Sequence, residues 1–238
     1  MHLKSDTKLY LIPNRLSENC FNDVLPPNVI NIIHGIRHFI VEDIRSARRF
    51  LSKIKHPQTI DHLLFRELNE HTPETEIDNL LPFLLSANVG IITEAGVPGV
   101  ADPGATIVQL AHRNKIKVIP LTGPSSILLA LMASGLNGQS FAFVGCLPIK
   151  KNERRERLLF LERRSKNEKQ TQIFIETPYR NNQLLKDILT HCHSSTKLTI
   201  AADITGEKEY IVTQTIKQWK TKVPELHKIP TVFLLNSS

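Results

Sequence analysis

The chain has 238 residues, 41% of them hydrophobic and 22% charged, and carries a net charge of +7 at neutral pH. That balance fits a soluble globular protein with a sizeable core, as one large domain or two small ones. The longest uncharged apolar run, Ile127 to Ala133, is far too short to span a bilayer, so no membrane association is expected. The basic excess favours a polyanionic partner, although charge by itself is weak evidence for one. The N-terminus shows no apolar core between a basic start and a small-residue cleavage site, so no signal peptide is expected. Three widely spaced cysteines, Cys20, Cys146 and Cys192, point to a reducing cytoplasm and to no disulfide framework.

In chain order, Lys8 to Ile12 reads as an opening strand ended by Pro13-Asn14. Pro26-Pro27 start a helix in which Val29, Ile32, Ile33 and Ile36 keep the spacing of one apolar face. Phe39 to Val41 is a second strand. Glu42-Asp43 caps the next helix, which carries Arg45, Arg48 and Arg49 on one side. A strand over Ile60 to Phe65 and an amphipathic helix over Pro73 to Leu85 are predicted next.

The most informative stretch follows. Val89 to Thr93 is a β-branched run, succeeded by Glu94-Ala95-Gly96-Val97-Pro98-Gly99-Val100-Ala101-Asp102-Pro103-Gly104. Asp102-Pro103 is a favourable helix opening. A second junction repeats the plan, with the strand Lys117 to Leu121, the loop Thr122-Gly123-Pro124-Ser125-Ser126, and a helix from Ile127 to Ser134. In open α/β sheets ligands bind outside the carboxyl ends of the strands, so two glycine-proline loops there suggest one shared pocket. The β/α alternation argues for a mostly parallel sheet.

Beyond Ser134 come strands at Ser140 to Val144, Thr171 to Ile175, Leu198 to Ala202, Glu209 to Thr213 and Ile229 to Leu235. A highly charged helical stretch covers Lys150 to Lys169, and a helix from Pro178 to Cys192 buries Leu184, Leu185, Ile188 and Leu189. The fold class expected is α/β, in two α/β domains, residues 1–121 and 122–238. The ten histidines show no metal-ligand spacing, and no metal is expected.

Three blocks, Glu94 to Gly104, Pro120-Leu121-Thr122-Gly123-Pro124-Ser125-Ser126-Ile127 and Gly145-Cys146-Leu147-Pro148, resemble the tetrapyrrole-methylase superfamily of S-adenosylmethionine-dependent methyltransferases. Within it the chain is most similar to the branch that methylates a ribose 2′-hydroxyl of a cytidine in bacterial small-subunit ribosomal RNA. The resemblance runs from about Lys8 to Leu235. It implies S-adenosylmethionine as cofactor, a cofactor cleft between the two domains, a homodimer, and RNA as partner. A tetrapyrrole-like small acceptor on the same fold and a non-catalytic RNA- or ribosome-binding relative are the alternatives.

Carried over position by position, the family's cofactor contacts fall on Leu16, Gly96, Val97, Val100, Ser125, Ser126, Ile175, Ala202 and Thr231. Ser125 also reads as a helix cap. Methyl transfer is an in-line displacement, so the protein mainly positions its reactants. A ribose hydroxyl benefits from a general base or from pre-aligned geometry. Nothing in the sequence names that base, and Glu94, Glu70, Asn69 and Glu42 are the catalytic candidates. Glu94 could orient the substrate or hydrogen-bond the loop amides, while Asp102 reads as a cap rather than a catalyst. In the basic run Lys150 to Arg157, Arg154, Arg155 and Arg157 are candidates for RNA phosphates, with Arg163, Arg164 and the Arg45/Arg48/Arg49 side in support. The same run also reads as a solvated helix face with internal Glu–Arg pairs.

Two segments depart from the family. The first loop, Pro13-Asn14-Arg15-Leu16-Ser17-Glu18-Asn19, has no glycine where the family has two, so side chains fill space left elsewhere to backbone. The family's His-Glu-His-Asn-Glu is Arg66-Glu67-Leu68-Asn69-Glu70 here.

Overall fold

The computed structural model describes residues 6–17, 24–69 and 71–237, and the chain divides into two compact units, Met1–Ser125 and Ser126–Ser238. The expectations for Glu70 and Cys20 lie outside the described residues.

The first unit is a five-stranded parallel sheet covered on both faces. Its strands are β1 (Lys8–Ile12), β2 (His38–Val41), β3 (Leu64–Glu67), β4 (Val89–Ile92) and β5 (Lys117–Pro120), ordered β3-β2-β4-β1-β5. Period-two alternation sends neighbouring residues to opposite faces. Ile12, Phe39, Val41 and Ile92 pack beneath α1 (Pro27–His34) and α2 (Ile44–Lys53) through Val29, Ile33, Phe50 and Leu51. Leu9, Ile40 and Ile91 pack on the other face, against Leu84 of α4 (Leu81–Ser86) and Ile107, Leu110 and Ala111 of α5 (Gly104–Arg113). Asp43 caps α2 by accepting from the Ser46 amide at 2.6 Å, which holds its carboxyl below the usual range.

Two expected elements differ. Residues Ile60–His62 form a 3₁₀ turn, and the strand begins only at Leu64. The helix expected over Pro73 to Leu85 is broken into α3 (Glu74–Ile77), a 3₁₀ turn at Asp78–Leu80, and α4. Pro82 lacks the N–H that a continuous helix would need there.

The second unit is a mixed sheet. Its strands β6 (Phe141–Cys146), β7 (Thr171–Ile175), β8 (Lys197–Ala202), β9 (Tyr210–Thr215) and β10 (Thr231–Asn236) are ordered β6-β7-β10-β8-β9. Only the β6–β7 pair is parallel, in contrast to the all-parallel sheet of the first unit. A seven-residue connection from Asp203 to Glu209 joins β8 to β9. That is too short for a crossover, so the pair closes as a hairpin.

On one face, Phe174, Leu198, Ile200, Phe233 and Leu235 pack against α7 (Lys151–Glu168), α8 (Asn181–His191) and the short α9 (Ile216–Trp219). The α9 turn was not anticipated. It is fixed by a capping box at Thr215/Gln218 and by the Trp219 indole N–H donating to the Leu198 carbonyl at 2.9 Å. The helix α6 (Ser126–Ser134) joins the sheet where the Thr213 hydroxyl donates to the Ser134 carbonyl at 2.7 Å. Among the described residues no helix is long and apolar enough to cross a membrane.

Candidate functional site

Strand order locates the crevice of the first sheet. From β2 the chain runs outward to β3, whereas from β4 it runs the other way, past β1 to β5. The connections therefore diverge above the neighbouring ends of β2 and β4, where Val41 pairs in register with Ile92. The residues that follow these two ends are Glu42 and Thr93-Glu94. Glu42 and Glu94 line one cleft with Asn69, His71, Ala101, Asp102 and Pro103.

Each polar group of this cleft has a distinct task. The Thr93 hydroxyl donates to a Glu42 carboxylate oxygen at 2.5 Å, and the Glu94 amide donates to the same oxygen at 3.3 Å. Glu42 thus ties the end of β4 to the end of β2. The Asp102 carboxylate accepts from the Gly99 amide at 2.9 Å and the Gly104 amide at 2.6 Å. That stapled loop contains a non-glycine residue in the left-handed region, Ala101 at φ 61°. Asp102 therefore holds the loop and the first amide of α5, while the N-cap position itself is Pro103, one residue beyond the expected Asp cap. The Asn69 side chain accepts from the His71 amide at 3.0 Å and donates to Glu67 at 2.9 Å, folding its own turn.

Glu94 differs from all of these. Its carboxylate makes no hydrogen bond or ion pair to the protein among the described residues. The loop amides that it was expected to serve are taken by Asp102 and Glu42. Burial, then the Glu42 charge, then the Asp43 charge push its carboxyl above the ordinary value. An unpaired carboxylate with a raised pKa in a cleft is equipped to take a proton.

Beside this cleft lie the glycine-proline loops. Asn14, which the sequence reading did not single out, is buried at the end of β1 and forms a two-way bridge with Gly96 (N···O 2.8 and 3.2 Å). Its side-chain amide donates to the carbonyls of Thr93 at 2.9 Å and Glu94 at 3.1 Å. Gly96 holds φ at 75°, and a Cβ placed on it would lie 3.4 Å from Leu16 and 3.8 Å from the Pro124 carbonyl. The first loop, the Gly96 loop and the Gly123-Pro124-Ser125 loop therefore meet at the carboxyl ends of β1, β4 and β5. Leu16 and Gly96 adjoin there, with Val97 half-buried and Val100 exposed on the same loop.

Gly123 is required by packing. A Cβ on it would sit 2.2 Å from Pro13, a rigid ring that cannot turn aside. Gly123→Ala is expected to cost about 1–3 kcal/mol through forced displacement of the loop, measured as a lower denaturant midpoint at unchanged m-value.

Ser125 ends the first unit, and Ser126 opens α6 of the second. Within the second unit, Ala202 pairs with Thr231 across β8 and β10, and Ile175 pairs with Val232 across β7 and β10. The structure thus brings Ile175, Ala202 and Thr231 to one end of one sheet. Next to Ile175, the buried Glu176 pairs with Arg180 at 2.6 Å and accepts from the Thr177 amide at 2.7 Å. The hydrogen bond to Glu176 raises the Arg180 pKa, and burial followed by the Glu176 charge raises that of the Cys146 thiol.

The basic run divides. Arg154 is buried: it pairs with Asp187 at 2.6 Å, each side chain only 5% exposed, and donates to the Ile149 carbonyl at 2.7 Å. It faces the core between α7 and α8, which corrects its assignment to RNA phosphates. Arg155 is exposed, and Arg157 lies over the Phe160 ring at 5.2 Å. Among the described residues no cluster of His, Cys, Asp and Glu could hold a metal ion.

Comparison with known proteins gives the family. Residues 23–220 match the model of the tetrapyrrole (corrin/porphyrin) methylases. The chain is 29% identical over 204 residues to ribosomal RNA small subunit methyltransferase I of Vibrio cholerae, covering 85% of this chain and 67% of that one. It is 30% identical over 200 residues to the Xylella fastidiosa protein of the same name (84% and 70% covered), and 35% identical over 192 residues to that of Buchnera aphidicola (78% and 66%). The chain spans about two thirds of the length of these relatives. Among solved structures, the methyltransferase CobJ superposes with a TM-score of 0.62 at 15% identity, over 98% of this chain and 93% of that one. The precorrin-6Y methylase of Archaeoglobus fulgidus gives 0.56 at 15% identity, over 98% and 97%, and both show the fold alone. With its glycine-proline loops at the strand ends and a family match over residues 23–220, the chain belongs to the tetrapyrrole methylases, which are S-adenosylmethionine-dependent methyltransferases.

Proposed function

We propose that this methyltransferase acts on RNA of the small ribosomal subunit, at a ribose 2′-hydroxyl, with Glu94 as the group that accepts the hydroxyl proton. The observation that carries the reading is the Glu94 carboxylate, unpaired and raised in pKa at the switch-point cleft beside the glycine-proline loop. The relatives' names support ribosomal RNA as acceptor. Glu42 acts through Glu94 as a positioning residue: it holds the Glu94 amide and Thr93, and its charge keeps the neighbouring carboxyl basic.

The residues present fit the cofactor. A cradle that a side chain at Gly96 would fill is walled by Leu16, and loop backbone is accessible at Gly99, where a Cβ would meet nothing within 4 Å. When bound, S-adenosylmethionine supplies an electrophilic methyl group on a positively charged sulfur. We assign Leu16, Gly96, Val97, Val100 and Ser125, all of the first unit, to holding it. Calorimetry is expected to show micromolar binding, about −8 kcal/mol, and Gly96→Trp is expected to abolish it. Unchanged affinity in that variant would place the cofactor elsewhere. Nucleoside mass spectrometry of the RNA product then tests the acceptor atom: a 2′-O-methyl nucleoside is expected, and a base-methylated one would overturn the ribose assignment.

The reading includes a homodimer in the cytoplasm. Exposed Leu128 and Met132, one turn apart on α6, supply an apolar surface for the former. Sedimentation of the purified chain as a monomer at micromolar concentration would remove the dimer from the reading.

A further inference from the structure

The cleft that adjoins the acidic site is basic. It lies along α2 and is lined by Asp43, Arg45, Arg48, Arg49, Ser52 and Lys53, among others. Four of the ten residues of α2 are cations and none is an acid. The opposite face buries Ala47, Phe50 and Leu51, so the cations are held outward by the core itself. Arg48 is neutralised by Asp61. Asp43 is the helix cap and feels the Arg45 and Arg49 charges without an ion pair to either, and Glu67 accepts from Asn69. Arg45, Arg49 and Lys53 are exposed and make no ion pair among the described residues. They stand four residues apart, about 6 Å per step along the axis, the order of the separation between neighbouring phosphates on an extended strand.

The two clefts share a boundary. Asp43 lines the basic one and its neighbour Glu42 the acidic one, while Glu67 of the first is hydrogen-bonded to Asn69 of the second. A row of three unpaired cations leading to a carboxylate that lacks a partner is a polarised track. Phosphates are attracted along it and then repelled from the acidic end, where a neutral hydroxyl can enter.

Resting on the RNA-acceptor reading above, we propose that the Arg45–Arg49–Lys53 row of α2 binds consecutive phosphates of a single RNA strand and delivers the adjoining ribose to Glu94. The α7 run carries less of this binding, because Arg154 is committed to Asp187. Contacts of this kind set register and affinity without reading bases.

The test compares the wild-type chain with Arg45→Gln/Arg49→Gln/Lys53→Gln and with Arg155→Gln/Arg157→Gln. The probes are a fluorescein-labelled single-stranded oligoribonucleotide and undermethylated small ribosomal subunits, titrated over a range of salt. The α2 triple variant is expected to bind the oligonucleotide on the order of 100-fold more weakly at 0.1 M salt. Its salt slope should be shallower by about 2, and its KM for the subunits raised, at unchanged S-adenosylmethionine affinity. All three positions are exposed, so the fold is retained, and unchanged circular dichroism and midpoint establish this. Equal RNA affinity and equal salt slope in wild type and the α2 variant would overturn the proposal while leaving the RNA reading intact. A wild type that binds S-adenosylmethionine yet transfers nothing to RNA would overturn both. A larger loss in the α7 variant than in the α2 variant would move the track to α7.

Discussion

Replacing Glu94 with glutamine is expected to lower kcat by about 10²- to 10⁴-fold, the range of a lost general base, with S-adenosylmethionine affinity unchanged. Two further signatures separate a base from a merely structural carboxylate. In the wild type kcat/KM should fall as pH drops through the raised Glu94 pKa, because the protonated form cannot accept the hydroxyl proton. The Gln variant should lose that limb. The stability profile carries the opposite sign to that of an ordinary carboxylate. The folded state raises the Glu94 pKa above its ordinary value of 4.5, so the folded protein binds the proton more tightly than the unfolded chain does. That contribution is present at low pH and is lost as pH rises from the unfolded pKa through the raised folded one. Glu94→Gln should therefore match the wild type in stability at low pH and exceed it at neutral pH, read as thermal midpoints at both. A variant with full kcat, or one less stable than wild type at neutral pH, contradicts the assignment.

Removal of Arg154 is expected to be the most damaging single change to stability. Its guanidinium meets Asp187 through Nε at 2.7 Å and through Nη2 at 2.6 Å, and Gln183 completes the carboxylate at 3.0 Å. Arg154→Ala leaves the Asp187 charge buried without its counter-charge, with only Gln183 still donating to it, and the Ile149 carbonyl without its donor, at a cost of about 3–5 kcal/mol. Urea unfolding should show this as a large fall in midpoint, whereas Arg155→Gln on the exposed face should stay within about 0.5 kcal/mol of wild type. Arg154→Leu/Asp187→Leu should recover much of the loss, since a well-packed apolar pair can substitute for a buried ion pair. A wild-type midpoint in Arg154→Ala would show the pair to be dispensable.

The contrast between Arg154 and Glu94 shows what the sequence could convey. The alternation of short β-branched runs with amphipathic stretches carries the parallel sheet of the first unit, and the glycine-proline junctions fall at the carboxyl ends of β4 and β5 as their composition implies. Long-range pairing is what periodicity does not encode. Arg154 sits in a run of charges that reads as a solvated face, and its partner lies 33 residues away on another helix. Asn14 reaches Thr93 and Glu94 across about 80 positions, and nothing local marks it as the residue that joins two loops. The strand misplaced over Ile60 to Phe65 has a simpler cause: Asp61-His62 closes a turn, so only the residues from Leu64 onward pair with β2. The antiparallel character of the second sheet was legible in principle, because the seven residues between β8 and β9 leave no room for a crossover helix.

The most direct test of the functional account is transfer of a tritiated methyl group from S-adenosylmethionine to small ribosomal subunits prepared from cells lacking this enzyme. The account predicts label in the small-subunit RNA with wild-type protein, resolved as a 2′-O-methyl nucleoside after digestion, and loss of nearly all label with Glu94→Gln. Bound S-adenosylmethionine with no label in RNA from the wild type, or full labelling by the Glu94→Gln protein, would contradict it.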